Sequence, residues 1–211
     1  MSPGKRLFAW MYHTFLSDTG RPNPEDAFTR EVRAPLLAQA RGKVLEIGAG
    51  DGGNLSLYPN GVHLTLLDIN PYMLRYLRET AEQMGIEGYR LIQARAERLP
   101  FSDGAFDTVV STHVLCSVES QPGALAEIRR VLRPGGRFLF LEHVAAPPAT
   151  FTYRVQHLIN PAWRAVGDGC HLTRNTGDAI RAAGFHEVEI IPLSVEAPAI
   201  VSPHILGSAI A

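Results

Sequence analysis

The sequence predicts an α/β fold: a parallel sheet covered by helices on both faces. Three observations predict it. From residue 42 onward, short apolar runs alternate with helical segments, the order that yields right-handed βαβ units. The runs are almost continuously apolar, as strands buried on both faces are. The first run ends in a cluster of glycines that turns the chain toward the next element.

In chain order, KVLEIG (43–48), VHLTLLDI (62–69), YRLIQA (89–94), FDTVVSTHV (106–114) and RFLFLEHV (137–144) read as five strands. A helix over 71–84 opens at Pro71 after Asn70, and another over about 121–132 is stopped by Pro134-Gly135-Gly136. A helix near 174–183 ends at Gly184, FHEVEIIPL (185–193) alternates like a strand, and PHILGSAIA (203–211) reads as a last strand returning to the sheet. Residues 145–172 form an insertion after the fifth strand, at the edge where open α/β sheets bind ligands. Residues 1–41 are expected to form a helical cap or lid, and 42–211 the main domain.

At 211 residues the chain fits one domain with a modest cap. Its 45% hydrophobic and 19% charged residues are ordinary for a globular protein. A net charge of −1 with scattered Arg residues argues against a nucleic-acid partner. Two cysteines, Cys116 and Cys170, exclude a disulfide framework and a finger-type zinc site, and reduced thiols in the cytoplasm are the expectation. Near the N-terminus, Lys5-Arg6 precede LFAWMYHTFL (7–16), followed by SDTGRPNPED with no small-residue cleavage site. That run is too short to span a bilayer. On a helix, Phe8, Met11, Tyr12 and Phe15 share one face, which packs on the domain, covers a ligand or touches a membrane surface peripherally.

LEIGAGDGGN places Gly48, Gly50, Gly52 and Gly53 behind a strand, and Asp68 ends the next strand twenty residues after Gly48. That spacing puts an acid where ribose hydroxyls can donate to it, so the first half is expected to bind an adenosine-like ligand. Gly48, Gly50 and Gly53 also satisfy the dinucleotide fingerprint. Length argues against a nicotinamide dinucleotide, since little chain is left for a separate catalytic domain. So does Glu46, a carboxylate poorly placed beside a pyrophosphate and well suited to a ligand carrying ammonium and sulfonium groups, such as S-adenosylmethionine.

VLEIGAGDG, DINPYML, RAERLPFSDGAFDTVV and EIRRVLRPGGRFLFLEHV resemble the successive motifs of class I S-adenosylmethionine-dependent methyltransferases, over about residues 42–144. The resemblance implies a Rossmann-like, seven-stranded, mostly parallel sheet with the last strand antiparallel. It places Glu46, Gly48, Ala49, Gly50, Gly52 and Asn54 around the methionine moiety and glycine turn. Asp68, Ile69 and Met73 fall at the ribose and adenine edge, Ala96 and Glu97 beside adenine, and His113 beneath the cofactor, whose product is S-adenosylhomocysteine. Many relatives carry Asp before the Ala-Glu pair to read the adenine amino group; this chain has Arg95.

The tail narrows the resemblance. VLCSV (114–118), LEHVAA (141–146), NPAWRAVGDGCHLTR (160–174) and SPHILGSA (202–209) are similar to the animal methyltransferase-like seven family of microsomal alkyl-thiol S-methyltransferases. That implies small thiols or sulfide as acceptors. The animal proteins carry a long N-terminal membrane anchor where this chain has only residues 7–16, and His171 stands where Asn is expected. A lipid amine head group or quinone-type ring is the alternative acceptor, and a cofactor-binding assembly partner the non-enzyme alternative.

DGCHLTR (168–174) packs an acid, a thiol, an imidazole and a guanidinium together. Adjacent ligands are poorly spaced for zinc, so no metal is expected. A nucleophilic Cys170 would duplicate the electrophile that the cofactor already brings. The remaining readings are acceptor lining, with Trp163, Cys170, Arg174 and His204 as pocket residues, and plain structure, with Arg174 paired to a carboxylate. The candidates for moving a proton are His143, Asp168 and His171; a structural role for His143 stays open.

Overall fold

The computed structural model describes residues 3–16 and 28–211. The chain enters with α1 (Pro3–Met11), continued by a wider turn over Tyr12–Leu16, and resumes at a second wide turn, Thr29–Arg33, leading into α2 (Ala34–Leu37). The expected cap thus falls partly outside the described residues, as does the side chain of Phe15.

The strands are β1 (Lys43–Ile47), β2 (His63–Asp68), β3 (Arg90–Gln93), β4 (Phe106–Thr112), β5 (Leu132–His143), β6 (His186–Ser194) and β7 (Pro203–Ile210). They form one sheet in the order β3-β2-β1-β4-β5-β7-β6. β7 runs antiparallel to both its neighbours, β5 and β6, and the other pairings are parallel. In β1 and β2 every residue after the first is buried, which is why these stretches alternate so weakly.

The helices between them are α3 (Pro71–Gln83), α4 (Gln121–Val131), α5 (Phe151–Val166) and α6 (Thr176–Ala182). Each begins where a side chain accepts from an otherwise orphaned backbone N–H: Asn70 from Tyr72, Ser120 from Gly123, Thr150 from Tyr153 and Asn175 from Asp178. α4 and α6 bury Leu125, Ile128 and Ile180 against Phe138 and Phe140 on one face. On the other, α2 and α3 bury Leu36, Leu37 and Leu77 against Leu66, Leu139 and Leu141.

Three differences from the sequence reading have physical causes. β5 starts at Leu132, before the Pro-Gly-Gly turn, because Leu132 pairs with Phe106 ahead of a bulge. α6 begins at Thr176 because Asn175 caps it. The insertion holds α5, a sixteen-residue helix with Pro161 inside it.

Gly207 sits at the centre of the β5–β7–β6 layer. A Cβ there would collide with the Glu189 carbonyl oxygen and lie 2.8 Å from Phe140 Cζ. Gly207→Ala is expected to destabilise the fold by about 1–3 kcal/mol, toward the upper end because backbone cannot yield. A urea midpoint equal to that of the parent would contradict this packing.

Candidate active site

The strand order reverses between β1 and β4, and a cavity of about 660 Å³ opens at that point. Gly48 and Gly50 line it behind β1, and Asp68 and Ile69 behind β2. Met73, Ala96 and Glu97 line one side, and His113 lies past the end of β4. Lys5, Phe8 and Tyr12 of the N-terminal helical segment roof it. The insertion supplies the far wall through Arg164, Asp168 and His171, followed by Arg174. A hollow of similar size, about 680 Å³, lies by Lys43, His63 and Arg90 at the amino ends of the strands, away from the glycine turn.

Asp68 is the centre of the near side. Its Oδ2 accepts from Gly50 N at 3.0 Å and its Oδ1 from Asn70 N at 2.7 Å. Burial pushes its carboxyl up to about 6, against these two backbone bonds. A carboxylate offers about four acceptor positions, so two remain for hydroxyl donors. Gly50 is left-handed (φ +57°), and a Cβ there would meet nothing nearer than the Gly48 carbonyl at 4.0 Å. The space such a Cβ would fill lies at the cavity. An acid with spare acceptor positions beside a side-chain-free turn fits the ribose and methionine portions of S-adenosylmethionine.

Glu46 has a different place from the one expected. It is fully buried behind the glycine turn and does not line the cavity. Its Oε1 accepts from Asn54 Nδ2 at 2.6 Å and its Oε2 from the Tyr58 hydroxyl at 2.9 Å. Burial pushes it up to about 7 despite both donors. The Arg33 guanidinium donates to Asn54 Oδ1 and to the Gly53 carbonyl, each at 2.7 Å. Glu46, Asn54, Tyr58 and Arg33 therefore brace the turn from behind; Ala49 and Gly52 are likewise buried there.

At the opposite edge, Arg95 is turned to Glu119, 2.6 Å away. Glu97 Oε1 accepts from Glu119 N at 2.6 Å and Ser120 N at 3.3 Å. The Arg95 departure is thus absorbed by an ion pair that ties the segment behind β3 to the segment behind β4.

Glu142, which sequence reading missed, fixes the turn after β4. It is fully buried, and its carboxylate accepts from the Ser111 hydroxyl at 2.5 Å, Val114 N at 3.2 Å and Leu115 N at 3.0 Å. Burial pushes it up to about 7. This anchor holds His113 in a left-handed conformation (φ +58°), which costs a non-glycine residue of order 1–3 kcal/mol. The signal was a lone acid in the apolar run FLFLEHV.

His113 opens onto the cavity and is exposed there. Desolvation by the groups packed around its ring, then His204, Arg33 and His143 nearby, lowers its imidazole, an effect that the open cavity moderates. His204 Nδ1 donates to the Ser202 carbonyl at 3.0 Å, leaving its Nε2 to accept from His113 Nε2 at 3.0 Å. Of the two rings, the one whose nitrogen accepts in this pair is neutral.

On the far wall, Arg174 donates to the carbonyls of Leu115 (2.7 Å) and Val118 (2.6 Å) rather than to a carboxylate. Burial, then Arg174 and Arg164, lowers His171. Burial raises Asp168, which is left-handed at φ +47°. His143, Trp163, Cys170 and His204, expected at the acceptor, do not line the cavity and stand behind its wall. His143 is buried because it lies within β5, where its Nε2 donates to the Ile200 carbonyl at 3.3 Å.

The strand order, the reversed last strand and the acid beside the glycine turn define a class I S-adenosylmethionine-dependent methyltransferase. A methyltransferase-domain family matches residues 45–140. Thiol S-methyltransferase TMT1A of Homo sapiens is 42% identical over 79% of this chain and 70% of its own length. Thiol S-methyltransferase TMT1B of Homo sapiens is 41% identical over 82% and 73%. The chain belongs to this thiol S-methyltransferase family. Among solved structures, geranyl diphosphate C-methyltransferase from Streptomyces coelicolor A3(2), in complex with S-adenosyl-L-homocysteine, shares the fold: TM-score 0.73, 14% identity, covering 99% of this chain and 98% of that one.

Proposed function

We propose that the protein methylates the sulfur of small thiols or sulfide, a reading supported by relatives 40–42% identical that are named thiol S-methyltransferases. The observation that carries the reading is one cavity whose near side is the glycine turn with Asp68 and whose far wall offers a neutral imidazole beside two guanidinium groups. When bound, S-adenosylmethionine supplies an electrophilic methyl on a good leaving group. Gly50 and Asp68 would hold it, and the Arg174 bonds to Leu115 and Val118 keep the acceptor wall in register with it. Alignment of this kind supplies effective molarities of about 10⁵ M or more. A thiol of pKa about 8.5 is only a few per cent ionised at neutral pH, and lowering that by about 1.5 units takes roughly 2 kcal/mol. Arg164 and Arg174 favour the thiolate through their charge, while neutral, partly exposed His171 takes the proton and passes it to solvent.

Labelled S-adenosylmethionine offered with thiols, sulfide, phosphatidylethanolamine and quinols tests the reading. Label in methyl thioethers or methanethiol supports it; label only in lipid or quinol discards it. His171→Gln is expected to slow methylation of thiols of ordinary pKa about tenfold or more, and of acidic thiols far less, because the latter need no base. Equal losses for both would remove His171 from proton transfer.

We also propose peripheral membrane contact through residues 7–16 of an otherwise cytoplasmic protein. Among the described residues no helix is long and apolar enough to cross a membrane. Leu7 and Trp10 are exposed on α1 next to Lys5 and Arg6. Co-sedimentation with anionic but not zwitterionic vesicles, lost in a Leu7→Ser/Trp10→Ser variant, is the expected result; no vesicle binding discards it.

A further inference from the structure

The two cysteines, far apart in sequence, meet behind the acceptor wall. Both are free; Cys116 is buried and Cys170 partly exposed. The His171 N–H donates to the Cys116 carbonyl at 2.9 Å, which joins the two segments at one cysteine and next to the other. Cys116 Sγ lies 3.5 Å from the His113 carbonyl and 3.6 Å from Ser117 Oγ. Around Cys170 stand two buried ring nitrogens without a conventional hydrogen-bond partner, His143 Nδ1 and Trp163 Nε1.

We propose that Cys170 and Cys116 form an oxidation site for hydroperoxides, Cys170 the attacking sulfur and Cys116 the resolving one. The Cys170 thiolate attacks one peroxide oxygen; the O–O bond breaks, hydroxide leaves, and Cys170 becomes a sulfenic acid. The Cys116 sulfur then attacks Cys170, the S–S bond forms, the S–O bond breaks, and hydroxide departs with the thiol proton as water. Two thiols and one hydrogen peroxide give one disulfide and two waters. The surroundings divide the roles. The Cys116 thiol, then His143 and Trp163, pull Cys170 well below the ordinary thiol range, whereas its hydrogen bond to Cys170 and burial push Cys116 up. The crosslink would staple the segment behind β4, which carries His113 and Ser117, to the insertion segment that carries Gly169 and His171; all four line the cavity.

The test uses the full chain, hydrogen peroxide and no other thiol. Both cysteines should become closed to iodoacetamide without gain of oxygen mass, and peptide mapping should find Cys116 joined to Cys170, reversed by dithiothreitol. In Cys116→Ser, dimedone should trap a sulfenic acid at Cys170. In Cys170→Ser, Cys116 should stay alkylatable at peroxide doses that oxidise the parent at least about tenfold faster. Circular dichroism confirms that each variant is folded. Separate over-oxidation of the two sulfurs in folded parent protein, crosslinks only between chains, or Cys116 oxidising at the parental rate in Cys170→Ser would each overturn the proposal. Mass and alkylation do not depend on methyl transfer, so their failure leaves the proposed activity standing, and the reverse holds too.

Discussion

Asp68→Ala should weaken S-adenosylmethionine binding by about 1–3 kcal/mol, roughly five- to 150-fold in Kd, through loss of hydrogen bonds to a charged acceptor. Calorimetry reads this directly. The same residue gives binding a pH dependence. Burial pushes free Asp68 up to about 6, whereas hydroxyl donors favour its ionised form. The complex therefore holds fewer protons than the free protein, binding releases them, and affinity falls as pH drops through about 6. Asp68→Ala should lack that component. Unchanged affinity in the variant would move the ribose contact elsewhere.

Glu142→Ala should destabilise the protein by about 3–5 kcal/mol, since it strips the partly buried N–H of Val114 and the buried N–H of Leu115 of their acceptor and leaves a void. Native Glu142, pushed up to about 7, holds a proton more tightly than its unfolded counterpart. Its contribution is fully present below the unfolded pKa and is lost as pH rises through about 7, so the deficit of the variant should narrow between about pH 5 and pH 8. Denaturant midpoints across that range measure both effects. A variant as stable as the parent would mean that the turn at His113 is held by something else.

The sheet was legible because nearly every residue of β1, β2 and the second half of β5 is buried, which leaves long apolar runs in the chain. α5 was not: Pro161 inside it and Pro147-Pro148 before it read as loop, although Thr150 is a readable cap. The glycine turn and Asp68 were legible because their spacing is local to one β-turn-β unit. Glu142, Arg33 and Tyr58 were not, because their partners lie 12 to 31 residues away and are chosen by packing. His143, at the end of β5, is a candidate both for chemistry and for a structural role; within that strand it is buried and turned to the Ile200 carbonyl.

The roof over the cavity has a kinetic consequence. α1, nine residues long, is fastened by Asn70 Nδ2 donating to the Lys5 carbonyl at 3.1 Å and, just beyond it, by His13 Nδ1 donating to Asp51 at 2.8 Å while its ring stacks on Tyr76. We propose that this cover lies over the nucleoside rather than over the small acceptor, so that loosening of these ties would set the pace at which the nucleoside thioether leaves.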